Sequence, residues 1–301
     1  MQFSLQEIRE VGNLELLARQ MVEGFITGLH KSPYHGFSVE FAEHQLYNSG
    51  GSTRHIDWKV FAKTDRLYTK RYEEETNLRC HLVLDCSSSM YYPTETRGKI
   101  TFSIMAAAAL TYLLQKQRDA VGLFTFTDQI TLQTQVRSTA THAHKLFLAL
   151  NRLLNTENIK QKTAIAPVIH EIAQKIHKRS LVILFTDMFH NQEDHQAIFT
   201  ALQHLKHQKN EVLLFHVMDH DTEVDFDFED RPYEFIDLES GEKTRLMPGE
   251  IKSSYQTAMA ESFKKLKLKC NQFKIDLIEV DIKTPFQKVL SQYLIKRARM
   301  K

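Results

Sequence analysis

Short apolar runs alternate with helical patterns through residues 78–299, and this alternation limits the folds that the chain can adopt. The clearest predicted strands are Leu78–Leu84, Ala120–Phe126, Ser180–Phe185 and Glu211–Met218. Strands that alternate with helices favour a parallel sheet covered by helices. Runs without polar interruption are typical of strands buried on both faces. We therefore expect an α/β fold, with a doubly wound, mostly parallel sheet and helices on both faces.

Two further segments complete the predicted organisation. Residues 1–78 form an N-terminal extension, with helical spacing over residues 5–30 and an extended pattern over residues 67–76. Residues 79–301 form the sheet domain. The acidic and aromatic stretch at about 219–250 interrupts the strand and helix rhythm, and we predict that it is an inserted hairpin loop.

Composition excludes several classes of protein and favours a cytoplasmic one. The 39 basic and 37 acidic residues give a net charge of +2, so no nucleic-acid partner is expected. The three cysteines include no CxxC pair and suit a reducing compartment. No secretory signal and no apolar run of about 20 residues occur, so no membrane span is expected.

Two of the predicted strands end in an aspartate, Asp85 and Asp187. Ligands of open α/β sheets bind beyond the carboxyl ends of the strands. Ser87 and Ser89 follow Asp85 at a spacing of two, so an extended or turning backbone can direct these oxygens together. Thr163, at a predicted helix start, can supply a third hydroxyl. Carboxylates and hydroxyls are ligands for Mg²⁺, although the serines would also suit a turn that only caps the following helix.

This pattern resembles the metal-ion-dependent adhesion site (MIDAS) of von Willebrand factor type A domains. The resemblance implies that a divalent cation, Mg²⁺ or else Mn²⁺ or Ca²⁺, is held by Asp85, Ser87, Ser89, Thr163 and Asp187. It also implies the Rossmann-like fold of that family. The sequence departs from many members at Met188, where they have glycine.

The upstream segment GGSTRHIDWKVFAKTDRLYTKRYEEE, at residues 50–75, is similar to the signature of domain-of-unknown-function family number 58. Ser52 departs from it, since that family usually has aspartate there. The resemblance implies a bacterial protein that works as an adaptor or co-chaperone with a MoxR-type AAA+ ATPase. Within the segment, Arg54, Asp57 and Trp58 form either an ion-paired packing unit or an interaction site.

The ligand set favours binding over catalysis. Two carboxylates and three neutral hydroxyls leave a divalent cation without excess negative charge, so an Asp or Glu of a protein partner can complete its coordination. We therefore expect a non-enzymatic interaction module. Two alternatives remain open, a metal-dependent hydrolase with the same ligands and a scaffold whose metal is incidental. A phosphatase of the haloacid dehalogenase type would need DxD at the first strand end, but position 87 is serine, and no Gly-x-Ser-x-Gly, P-loop or GxGxxG motif occurs.

Overall fold

The computed structural model describes residues 13–30, 44–46, 61–63, 68–70, 78–155, 165–187, 192–238, 241–285 and 287–299. The chain divides into two compact units, one comprising Met1–Phe25 with Leu78–Lys301 and the other Ile26–Asn77. Helix α1 (Leu14–His30) begins after Asn13, whose Oδ1 accepts a hydrogen bond from the Leu16 amide. In the second unit, β1 (His44–Leu46) pairs antiparallel with β2 (Tyr68–Lys70).

A six-stranded sheet organises the larger unit. Its members in chain order are β3 (Arg79–Asp85), β4 (Ala120–Phe126), β5 (Ile130–Gln133), β6 (Leu181–Thr186), β7 (Glu211–Met218) and β10 (Asp276–Asp281). Their order across the sheet is β10-β7-β6-β3-β4-β5. All neighbouring pairs are parallel except β4 with β5, which is antiparallel. This arrangement confirms the predicted mostly parallel α/β fold.

Helices connect these strands and cover both faces. They are α2 (Gly98–Lys116), α3 (Ala140–Asn155), α4 (Ile165–Lys175), α5 (Gln192–His207), α6 (Pro248–Gln272) and α7 (Gln287–Arg299). On one face, α4 and α5 pack over a core that includes Val83, Val182 and Leu214. On the other face lies α2, which contacts β3 and β4 and packs against α3 and α7.

The middle of α2 shows why other helices must pack around it on that face. Residues from Ile104 to Leu110 are all buried, so this helix is apolar around its whole circumference. A helix of that kind must be surrounded, because no side of it can face water. Helix α1 also contributes, since the Tyr112 hydroxyl donates to Glu23 Oε1 at 3.1 Å.

The segment between β7 and α6, residues 219–247, departs from the regular alternation, and we call it the insertion. It opens with one turn of π-helix, His220–Val224. It then forms an antiparallel hairpin of β8 (Tyr233–Ile236) and β9 (Lys243–Leu246). Phe226 is 6% exposed and its ring lies 4.5 Å from that of Tyr255 on α6, which fixes the insertion against this helix. Among the helices in the described ranges, none has the length and apolarity needed to cross a membrane.

Candidate metal centre

The order of the strands creates a crevice at the carboxyl ends of two central strands, β3 and β6. The chain leaves β3 for β4 on one side and returns through β6 on the other side of β3. The connections after β3 and β6 therefore diverge, and ligands of open α/β sheets bind at such a point, outside the carboxyl ends of the strands. Asp85 is the last residue of β3 and Asp187 follows the last residue of β6. Both side chains are fully buried.

Hydrogen bonds fix the orientation of the Asp85 carboxylate. Its Oδ1 accepts from the Ser87 amide at 2.9 Å, and its Oδ2 accepts from the Thr186 hydroxyl at 2.6 Å. Thr186 lies on β6, so this second bond ties the ends of the two strands together. Thr186 was not predicted as part of the site, because a threonine at the end of an apolar run looks like an ordinary strand residue.

The two serines lie together at the start of a short helical turn. Ser87 Oγ is 3.1 Å from Ser89 Oγ, and the 3₁₀ turn Ser88–Tyr91 follows Ser87 directly. Ser87 occupies the N-cap position with extended backbone angles, yet its side chain makes no capping hydrogen bond. The Ser87 hydroxyl therefore does not cap this turn.

Asp187 is bound from two sides. Its Oδ2 forms an ion pair with Lys99 Nζ at 2.9 Å, and the lysine comes from the first turn of α2. Its carbonyl oxygen lies 2.6 Å from Nε2 of His216 on β7. A carbonyl oxygen only accepts, so this ring nitrogen carries the proton and donates.

A second acid shares the Lys99 ammonium. Glu223 Oε1, in the π-helical turn of the insertion, lies 2.5 Å from Lys99 Nζ. Burial alone lowers the pKa of Lys99, but the charges of Asp187 and Glu223 outweigh it and hold that pKa above its ordinary value. Lys99 therefore stays protonated. Neither Lys99 nor Glu223 was predicted as part of the site.

Charge at the crevice favours a bound cation. Burial, together with the nearby charge of Asp187, raises the pKa of Asp85 from 3.8 to about 6. Two buried carboxylates side by side are unfavourable unless positive charge compensates them. The oxygens present, two carboxylates and two hydroxyls, are those that a hard divalent cation prefers. The residues thus fit the ion that the sequence pattern implies.

The structure brings together four of the five predicted ligands at the carboxyl ends of β3 and β6. They are Asp85, Ser87, Ser89 and Asp187. Thr163 lies outside the described residues, as does the cluster of Arg54, Asp57 and Trp58. These positions remain predictions.

Comparison with known proteins identifies a family match over most of the chain. The model of the family described as "Protein of unknown function DUF58" matches residues 43–265. Uncharacterized proteins of Mycobacterium tuberculosis and Mycobacterium bovis are 24% identical to the chain over 175 residues, which is 58% of this chain and 55% of each relative. The chain thus spans about half the length of the curated relatives it matches.

Solved structures with a similar chain course include BatB of Bacteroides thetaiotaomicron, at 16% identity and a TM-score of 0.43, covering 74% of this chain and 99% of that one. The pilus adhesin SpaC of Lactobacillus rhamnosus, in an open conformation, has 12% identity and a TM-score of 0.41, covering 74% of this chain and 30% of that one.

Proposed function

We propose, starting from the fact that this chain belongs to the DUF58 family, that it is a non-enzymatic, metal-dependent protein-interaction module. The observation that carries the proposal is the buried pair of Asp85 and Asp187 in the crevice, with the hydroxyls of Ser87 and Ser89 beside them. Mg²⁺ is the proposed cation, with Mn²⁺ or Ca²⁺ as substitutes, and Thr163 is the proposed fifth ligand.

Each residue has a distinct part in this role. Asp85 and Asp187 supply the negative charge, while the hydrogen bonds from Thr186 and Ser87 keep the Asp85 carboxylate in one orientation. Lys99 and Glu223 add one positive and one negative charge, which cancel. The cation, when bound, supplies an electrophilic point that attracts an outside carboxylate. The set therefore suits capture of an Asp or Glu side chain from a protein partner.

The proposed partner is a MoxR-type AAA+ ATPase, for which the protein would act as a cytoplasmic adaptor or co-chaperone. This part of the proposal rests on the resemblance of residues 50–75 to the family signature and on the ligand set. The Mycobacterium relatives are uncharacterized and contribute no partner.

Hydrolysis by the same metal centre is the main alternative, and the neighbouring residues favour binding instead. A hydrolase needs a general base that substrate can reach. Three ionisable groups around Asp187 are poorly exposed: the Lys99 side chain, which is protonated and 1% exposed, the Glu223 side chain, which is 13% exposed and bound to the lysine, and His216, which is 3% exposed and donates to the Asp187 carbonyl. None of the three is placed to take a proton from a substrate at the surface. Turnover of generic phosphoesters with Mg²⁺ by the purified protein would establish the alternative.

An affinity pull-down in the presence of Mg²⁺ tests the proposal. Wild type should capture an AAA+ ATPase with Mg²⁺ and release it in EDTA, whereas Asp85→Ala should capture none under either condition. Glu261→Ala is the matched control, because it removes one carboxylate from an exposed position on α6 and should bind as wild type does. Capture that persists in EDTA would contradict metal dependence and favour a scaffold whose contacts lie in the insertion or the N-terminal extension. A variant lacking the insertion would then identify which.

A further inference from the structure

Lys99 connects the metal centre to the insertion. Its ammonium lies 2.9 Å from Asp187 Oδ2 and 2.5 Å from Glu223 Oε1, with the lysine side chain 1% exposed. Asp187 belongs to the crevice and Glu223 to the π-helical turn that opens the insertion. A single buried positive charge is thus shared between a proposed metal ligand and a residue of a surface element.

Contacts on each side hold this arrangement in place. Glu223 Oε2 accepts from the Asp219 amide at 2.8 Å, and the Glu223 carbonyl accepts from the Tyr255 hydroxyl at 2.8 Å. The Lys99 ammonium lies 5.6 Å from the centre of the Tyr92 ring, within the range of a cation–π contact. The Lys99 ammonium is therefore a buried, fixed part of the site and not an exposed group that contacts it occasionally.

The position of Lys99 in its helix argues against a purely local structural role. Lys99 lies in the first turn of α2, and that turn contains no acidic residue. The partial positive charge of a helix N-terminus makes a lysine unfavourable there, so Lys99 does not stabilise its own helix electrostatically. Its favourable partners are the acids from β6 and the insertion, both distant in sequence.

We propose that Lys99 and Glu223 set the cation affinity of the metal centre. Lys99 is an internal cation that competes with the divalent ion for Asp187, and Glu223 draws the ammonium partly away from it. The inference rests on the proposed metal function and adds a means of regulating it. Because coupling between sites is reciprocal, a partner that displaces the Glu223 turn would lower metal affinity, and metal binding would favour the packed turn.

Binding of Mn²⁺ to the full chain, measured by electron paramagnetic resonance or calorimetry, tests this inference directly. Lys99→Met keeps an unbranched side chain and removes the competing charge, so its Kd should fall at least tenfold. Glu223→Gln keeps the shape and leaves the ammonium on Asp187, so its Kd should rise at least threefold. The double variant also lacks the ammonium, so Glu223 has no charge to draw away, and its Kd should be close to that of Lys99→Met.

Lys283→Met is the matched control, since Lys283 forms an ion pair with Asp221 on the same turn but is 54% exposed. Its Kd should stay within twofold of wild type. Unchanged or weaker binding by Lys99→Met would overturn the inference and make Lys99 a structural contact only. If that variant does not fold, Glu223→Gln decides, and unchanged or tighter binding by it would overturn the inference.

The two proposals can fail separately. If wild type binds no Mn²⁺, both are wrong. If wild type binds Mn²⁺, Asp85→Ala does not, and Lys99→Met binds no tighter than wild type, the metal function stands and only the role of Lys99 is wrong.

Discussion

Replacing Asp85 with asparagine should stabilise the metal-free protein while removing its response to metal. Burial, with the charge of Asp187, raises the pKa of Asp85 from 3.8 to about 6. At about 1.4 kcal/mol per pH unit, keeping this carboxylate ionised in the folded protein costs about 3 kcal/mol. An asparagine avoids that cost, and its amide can still accept from the Ser87 amide.

The sign follows from linkage between proton binding and folding. The folded state holds its proton on Asp85 more tightly than the unfolded chain does, so the wild type loses stability as pH rises from about 4 to 6. Urea unfolding in EDTA at pH 8 should therefore show Asp85→Asn more stable than wild type by up to about 3 kcal/mol. Near pH 4 the two should be equal. Adding Mg²⁺ at 100 times its Kd should stabilise wild type by about 2.7 kcal/mol and leave the variant unchanged.

Asp119 offers a control with the same chemical change and the opposite expected sign. Its side chain is 2% exposed and forms an ion pair with Arg297 on α7, so Asp119→Asn should destabilise the protein. If Asp85→Asn is as stable as wild type or less stable in EDTA at pH 8, the reasoning that burial and the charge of Asp187 make the ionised Asp85 unfavourable is refuted.

Three other predictions follow from the buried groups. Burial lowers the pKa of His81 from 6.5 to about 4, so the stability of wild type relative to His81→Leu should fall by about 3 kcal/mol between pH 6.5 and 4 in urea titrations of both proteins. Arg297→Ala leaves Asp119 buried without its ion pair and should lower the free energy of unfolding by about 3 kcal/mol in thermal melts. Phe226→Ala removes a ring that is 6% exposed, so hydrogen exchange should speed up in the insertion while β3 and β6 stay protected.

Sequence patterns were sufficient for the sheet because its strands are buried on both faces. Ala120–Phe126 and Glu211–Met218 begin and end where their apolar runs predicted. A strand that is covered on both faces is a nearly continuous apolar run, so the ends of the run mark the ends of the strand. Helix α6 begins at Pro248, inside the stretch of about 219–250 that was predicted to be a hairpin loop, although proline is common in the first turn of a helix and could have signalled its start.

The candidate site was predictable only where a local sequence pattern marks its residues. Asp85, Ser87 and Ser89 share one loop, and the apolar run before Asp187 marked a second strand end. Lys99 was not found, because a lysine near a helix start is ordinarily exposed and its acids lie 88 and 124 residues away. A local sequence pattern cannot predict ion pairs between residues so far apart. The role of Lys99 is recognised only from the structure, which places Glu223 of the insertion beside it.

The contact of α7 with α2 means that α2 cannot be fully covered until α7 has been synthesised. Tyr293 and Arg297 on α7 form hydrogen bonds with Gln117 and Asp119, just beyond the end of α2. The two pairs are 176 and 178 residues apart in the chain. At roughly 5–20 residues per second, a ribosome needs about 10 to 35 s to make that length of chain. During this interval the apolar helix at the centre of one face has been synthesised without its final cover. Folding during synthesis thus includes a period in which α2 must be shielded by α1, α3 or a chaperone.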